Sequence, residues 1–175
     1  MTFKQQLIDM NACHEAVVWV GRKSLKTAWS KCERGDWMLW LAGKLDIDRK
    51  LLVLAACDCA EPALKLIPEG EDRPRQAIQT ARDWCNGLAS LEDVRNAANA
   101  ANAAANAADV AAYAAADVAA YAAYAANAAD AANAAAYAAY AAYAAADAAN
   151  ASDASDLVRA RIPFEAIEKA MRENT

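Results

Sequence analysis

Histidine occurs once in these 175 residues, glycine five times and proline four times. Neither glycine nor proline appears between Leu88 and Ile162, and neither lysine nor arginine between Arg95 and Arg159. Each scarcity excludes something. With His14 as the sole histidine, a nucleophile and imidazole base have one candidate pairing, and its neighbour Cys13 points about 100° away from it on a helix. His14 reads as an incidental, exposed side chain. The chain also has no glycine-rich phosphate loop, no His-Glu metal helix and no DNA-binding signature. Cys13, Cys32, Cys57, Cys59 and Cys85 form no paired spacing, and an odd count fits reduced thiols in a cytoplasmic protein. Cys57 and Cys59, two apart on a predicted helix, face away from each other, which argues against zinc. The start MTFKQQLIDM lacks the apolar run of a secretory signal, and no strongly apolar run reaches the roughly 18 residues a membrane span needs. No catalytic residue, metal or cofactor is expected.

The gap without basic residues contains Asp109, Asp117, Asp130, Asp147, Asp153 and Asp156, so the segment is wholly anionic. Such a strip opposes direct contact with nucleic acid or an anionic membrane and suits a protein partner with a basic surface. The plainer reading is that a few aspartates keep an alanine-rich helix soluble. Arg34-Gly35-Asp36 looks like an adhesion tripeptide, but a turn followed by a helix cap accounts for it.

Large side chains divide the chain. All five tryptophans precede residue 90, and all six tyrosines fall between 113 and 143. The pattern predicts a single all-α domain over 1–175: a Trp/Leu-rich helical half (1–90), an alanine-rich helical repeat (91–151) and C-terminal helices (152–175). In the first half a helix is expected from about Thr2 to Val20, ended by Gly21. Ser24 should cap a second helix and Asp36 a third, which carries Trp37, Trp40 and Leu41 on one face and stops at Gly43. Asp46 or Asp48 starts "RKLLVLAACDCA", an apolar run expected at the centre of the core and ending near Pro62. Pro68, Gly70 and Pro74 frame a loop, Asp72 caps the helix bearing Ile78 and Trp84, and Gly87 closes it. Arg73, Arg75 and Arg82 with Glu69, Glu71, Asp72 and Asp83 tie that loop down, whereas a deep pocket around Arg73, Arg75 and Trp84 would favour a small-ligand binder or an enzyme. Ser90 and Asp93 form a capping box.

From Asn96 to Asn150 the residues other than alanine recur at steps of three or four, the neighbour spacing of a helix. Alanine has the highest helix propensity, and a disordered tract would carry glycine, proline, serine and more charge. On one continuous helix the positions from Asn99 to Asn127 stay within a stripe of about 120°, after which Asn133, Tyr137, Tyr140, Tyr143 and Asp147 occupy another. A break at 127–133 and further breaks near Asn102 or Asn106 are therefore expected, giving packed helices with closely approaching alanine faces. Those faces also leave self-association open. Ser152 or Ser155 should cap a short helix, Pro163 should start the last one through Phe164, Ile167 and Met171, and this tail should pack back on the array.

The segment "LAACDCAEPALKLIPEGEDRPRQAIQTARDWCNG" resembles the bacterial immunity proteins grouped as Imm5 and Imm5-like. Asp58, Pro68, Asp72, Arg73, Pro74, Arg75, Ala77, Ile78, Arg82 and Trp84 carry the match, which extends over about residues 30 to 165. The chain departs in using Asn, Asp and Tyr where more Arg and His would be expected in the repeat. The resemblance implies an all-helical protein that neutralises a cognate toxin by binding it. Partner-contacting candidates are Asp109, Tyr113, Asp117, Tyr121 and Tyr124, joined by Tyr137, Tyr140 and Tyr143, because tyrosine buries ring area at low entropy cost and keeps a hydroxyl for hydrogen bonding. Whether these rings meet a partner or fill the core is left open by the sequence. A phage or mobile-element inhibitor of a host defence system, presenting aspartates where phosphates would lie, is the alternative of the same non-catalytic type.

Overall fold

In a computed structural model the described residues are 1–106, 110–127, 137–138, 140–141, 144 and 154–174. Ten α-helices and no strand occur among them, so the protein is all-α. The helices are α1 (Phe3–Asp9), α2 (His14–Val20), α3 (Leu25–Lys31), α4 (Gly35–Lys44), α5 (Arg49–Ala60), α6 (Arg73–Cys85), α7 (Leu91–Ala105), α8 (Val110–Asn127), α9 (Ala154–Arg161) and α10 (Phe164–Glu173), with a 3₁₀ segment at Glu61–Leu66. No helix among the described residues is long and apolar enough to cross a membrane.

The caps decide several boundaries. The helix expected over 2–20 is two helices, because Asn11 takes a left-handed φ of 61° between them. Ser24 caps α3 by accepting from the Thr27 N–H at 3.2 Å. Asp36 does not cap α4: that position belongs to Arg34, and the Asp36 carboxylate instead receives the Arg34 guanidinium at 2.6 Å. Gly43 does not stop α4 either, since the turn comes at Asp46, with φ 55°. Asp48 caps α5, accepting from Lys50 N–H at 2.7 Å. At α6 the expected cap Asp72 makes no side-chain cap hydrogen bond, and Glu71 takes the Arg73 N–H in its place at 3.1 Å. Ser90 and Asp93 do form the reciprocal capping box at the start of α7.

The described part of the alanine repeat from 91 to 127 is a helix pair and not a rod. Tyr124, near the end of α8, bonds Asn99 and Asn102 of α7, while Ala104 and Ala105 pack on Ala116 near its start, so the two helices run antiparallel. The break foreseen near Asn106 is where α7 ends, whereas 127 opens the expected break at 127–133, whose remaining residues lie outside the described ones. The stripe drawn for one continuous helix is therefore divided between two facing helices. α8 packs against α5, α6 and α7, with Ala119, Ala122, Ala123, Ala125 and Ala126 all fully buried. Such contact is feasible because a methyl side chain lets helix axes approach to about 8 Å. The apolar run of α5 is equally central, with Leu52, Val53, Ala55, Ala56 and Cys57 fully buried. Cys57 and Cys59 do face apart: the first thiol lies toward Ile78 of α6, the second toward Ala154 of α9. Burial pushes the Cys59 thiol up to about 12 and that of Cys85 to about 11, so both are held protonated.

Among the described residues the C-terminal helices rest on the N-terminal half. α9 lies on α5 and α4, and α10 on α3. Ser155 lies within α9, fully buried, and accepts from Arg159 at 2.8 Å instead of capping the helix. Arg159 also donates to the carbonyls of Trp29 and Cys32, closing the C-terminal end of α3. Pro163 takes the N-cap position of α10, whose Ile167 and Met171 are buried as its amphipathic pattern predicts. Where α4 begins, a Cβ on Gly35 would stand 3.1 Å from both the carbonyl carbon and the Cβ of Ala154. Gly35→Ala is expected to force the two helix starts apart and to cost about 1–3 kcal/mol. Urea denaturation would measure it, and an unchanged midpoint would show that α9 can move without loss.

Candidate partner-binding face

On α8 the residues from Ala116 to Ala126 are buried except for three: Asp117, Tyr121 and Tyr124. Their i, i+4, i+7 spacing puts them on one line, the less buried side of this stretch, where the helical residues Tyr137 and Tyr140 place their rings against Tyr124 and Tyr121. Tyr124 is anchored there. Its hydroxyl accepts from Asn102 Nδ2 at 2.6 Å and donates to Asn99 Oδ1 at 3.0 Å, and burial raises its pKa. Tyr121 stands in a chain of rings, with centroids 4.5 Å from Tyr140 and 6.3 Å from Tyr137, which lies 5.9 Å from Tyr124. Tyr137 and Tyr140 are 40% and 53% exposed, so the outer members of the cluster keep much of their surface.

Five of the eight contact candidates are thereby brought together. Asp109 and Tyr143 lie outside the described residues, and Tyr113 is described only in its backbone, as part of α8. Of the rest, Tyr121 and Tyr124 are half-buried against helices, Tyr137 stacks on Tyr121, and the Tyr121–Tyr140 and Tyr124–Tyr137 pairs are tilted. Asp117 is half-buried, and burial raises its pKa.

The motif loop has a different task. Glu71 receives Arg73 Nε at 2.8 Å as well as its backbone N–H, and this pairing holds its carboxyl down at about 2. Pro74 is buried in the first turn of α6, Asp72 and Arg75 are exposed, and Trp84 lies under the Arg49 guanidinium at 4.9 Å. Two residues of the family resemblance, Asp58 and Arg82, make their contacts away from the loop, with Glu61 and Arg161, which the sequence did not single out. Asp58 of α5 accepts from Arg82 of α6 at 3.0 Å and from Arg161 of α9 at 2.6 Å, while Arg82 also reaches Glu61 at 2.6 Å. One carboxylate thus clasps three helices. Arg161 follows Asp58 by 103 residues, a separation with no local periodic signal. A cavity lies among the tryptophans of α2, α3 and α4, and Arg73, Arg75 and Trp84 take no part in its lining.

The family model described as "Imm-5 like putative immunity protein" matches residues 45–162, about two thirds of the chain. The chain belongs to this Imm5-like family. No curated protein and no solved structure matches it. The matched region begins just ahead of α5 and ends with α9, so it contains the whole Asp58 clasp and the α7–α8 hairpin.

Asp58→Ala leaves two guanidinium groups without their acceptor and is expected to cost about 1–3 kcal/mol, less than a fully buried pair because both arginines retain solvent contact. The urea midpoint checks it; a value within error of wild type would make the clasp dispensable. At Asp117 the sign is opposite. Its raised pKa means that the folded chain binds the proton more tightly than the unfolded chain, so stability falls as pH rises from the unfolded value through the folded one, and the full penalty applies at pH 7. Asp117→Asn should raise the urea midpoint at pH 7, with the gain shrinking in acid below the unfolded carboxylate value. A lower midpoint at pH 7 would mean that the charge is compensated in the fold.

Proposed function

We propose that this protein is a non-catalytic, cytoplasmic inhibitor of the immunity type, which binds a protein toxin and blocks the surface through which the toxin acts. One observation carries the reading: in a member of this family, the partly exposed line of α8 bears Asp117, Tyr121 and Tyr124, extended outward by the half-exposed rings of Tyr137 and Tyr140. Stacked tyrosines are already ordered, so a partner that covers them gains contact area with little further loss of side-chain entropy. The partner's complementary face would be basic. The chain carries a formal net charge of −5, and arginine side chains can both stack on phenol rings and pair with an aspartate. Residues 1–175 would act as one domain, with α1–α6 and the clasp holding the hairpin rigid beneath the rings.

The test uses the tagged full chain as bait in its native host, identifies the captured protein by mass spectrometry, and then titrates the purified pair. Wild type should suppress the partner's toxicity at one-to-one stoichiometry. Tyr137→Ala combined with Tyr140→Ala should keep the helical circular dichroism and weaken binding by at least about thirtyfold, as the loss of one hot-spot residue would. Undiminished affinity in the double variant would move the interface off the tyrosines. A captured partner whose activity is unaffected would reject inhibition.

A further inference from the structure

Four of the chain's five tryptophans, Trp19, Trp29, Trp37 and Trp40, line one cavity of about 470 Å³ among α1, α2, α3 and α4. The voids of a close-packed interior rarely exceed a water molecule, whereas small-molecule sites run to roughly 300–1,000 Å³. Trp19, Trp37 and Trp40 pack against the core yet are only partly buried, so their rings keep accessible surface. Trp19 and Trp37 meet edge to face at 6.1 Å, an arrangement that fixes both rings. Charge at the wall is largely compensated internally. Arg34 donates to both oxygens of Asp36, at 2.8 and 2.6 Å, and its guanidinium lies 4.6 Å over Trp37. Glu15, the other carboxylate of the lining, would repel an anion.

We propose that this cavity is a binding site for a small, uncharged organic molecule containing a ring system. Burial of apolar surface against indole rings supplies the attraction, and the compensated Arg34–Asp36 pair gives an ionised ligand no advantage that offsets its desolvation. The lining comes from residues ahead of position 45 together with Tyr140, so most of the site precedes the family-matched region. It stands independently of the inhibitor reading. Tyr140 is common to the cavity and the tyrosine cluster, which places a bound ligand next to the proposed partner face.

N-phenyl-1-naphthylamine, uncharged and with ring systems of suitable size, is the probe. Titration into the full chain should give saturable, one-to-one fluorescence enhancement with micromolar affinity. In protein labelled with 5-fluorotryptophan, the probe should shift the fluorine resonances of the four lining tryptophans and leave that of Trp84 in place, which serves as an internal control. Ala16→Phe projects a ring into the cavity and should weaken the probe at least tenfold; Ala12→Phe, at a less buried lining position, gives the same comparison if the first variant folds poorly. Absence of saturable binding, a shift confined to Trp84, or unchanged affinity in the filled variant that folds would overturn the proposal.

Discussion

Close approach of helix backbones through alanine is the constraint on which the rest of this structure depends. A helix whose side chains end at Cβ buries little area per residue, so it contributes to a core only if its neighbours come near on several sides. α8 meets that condition by lying against α5, α6 and α7, with every alanine from Ala116 to Ala126 buried. The larger apolar groups are supplied by the surrounding helices, as Leu52, Val53, Ile78 and Val94 show. The same closeness recurs where Gly35 abuts Ala154, because a Cβ there would intrude on the neighbouring backbone.

Such packing has weak directional preference, since one alanine face resembles another. The polar contacts provide the register that the methyl groups do not. Asn99 and Asn102 hold the Tyr124 hydroxyl and so set how α7 lies along α8. Asp58 joins α5, α6 and α9 through Arg82 and Arg161, and Arg159 ties α9 to the end of α3. These bonds connect distant parts of the chain at few points, consistent with the view that buried polar groups can select among similar packings. Asp117, Tyr121 and Tyr124 form the less buried line of α8, and the rings of Tyr137 and Tyr140, themselves helical residues, pack on the two tyrosines.

The separation of tasks along the chain follows from this arrangement. The motif residues around Asp72 and Arg73 organise a loop and a helix start, and the aromatic cluster arises from a different part of the same family-matched region. The tryptophan-lined cavity belongs mainly to α1–α4, ahead of that region, where bulky rings and early helix breaks leave space that alanine helices would have closed.

Much was determined by the sequence alone, and for local reasons. Steps of three and four residues with abundant alanine dictate helices, Ser24, Asp48 and the Ser90–Asp93 pair start them, and the run around Leu52 and Val53 is apolar enough to demand burial. The failures were also local in appearance: Asp36 and Asp72 are good cap residues by type, yet nearby arginines draw Asp36 and Glu71 into pairs that choose other geometries. Tertiary structure alone decided that α7 and α8 pair antiparallel, that Asp58 finds an arginine 103 residues away, and that Tyr137 stacks on Tyr121 from a separate stretch. Periodicity specifies which residues share a side of one helix; which helix covers that side is settled by contacts between segments whose separation in the chain leaves no periodic trace.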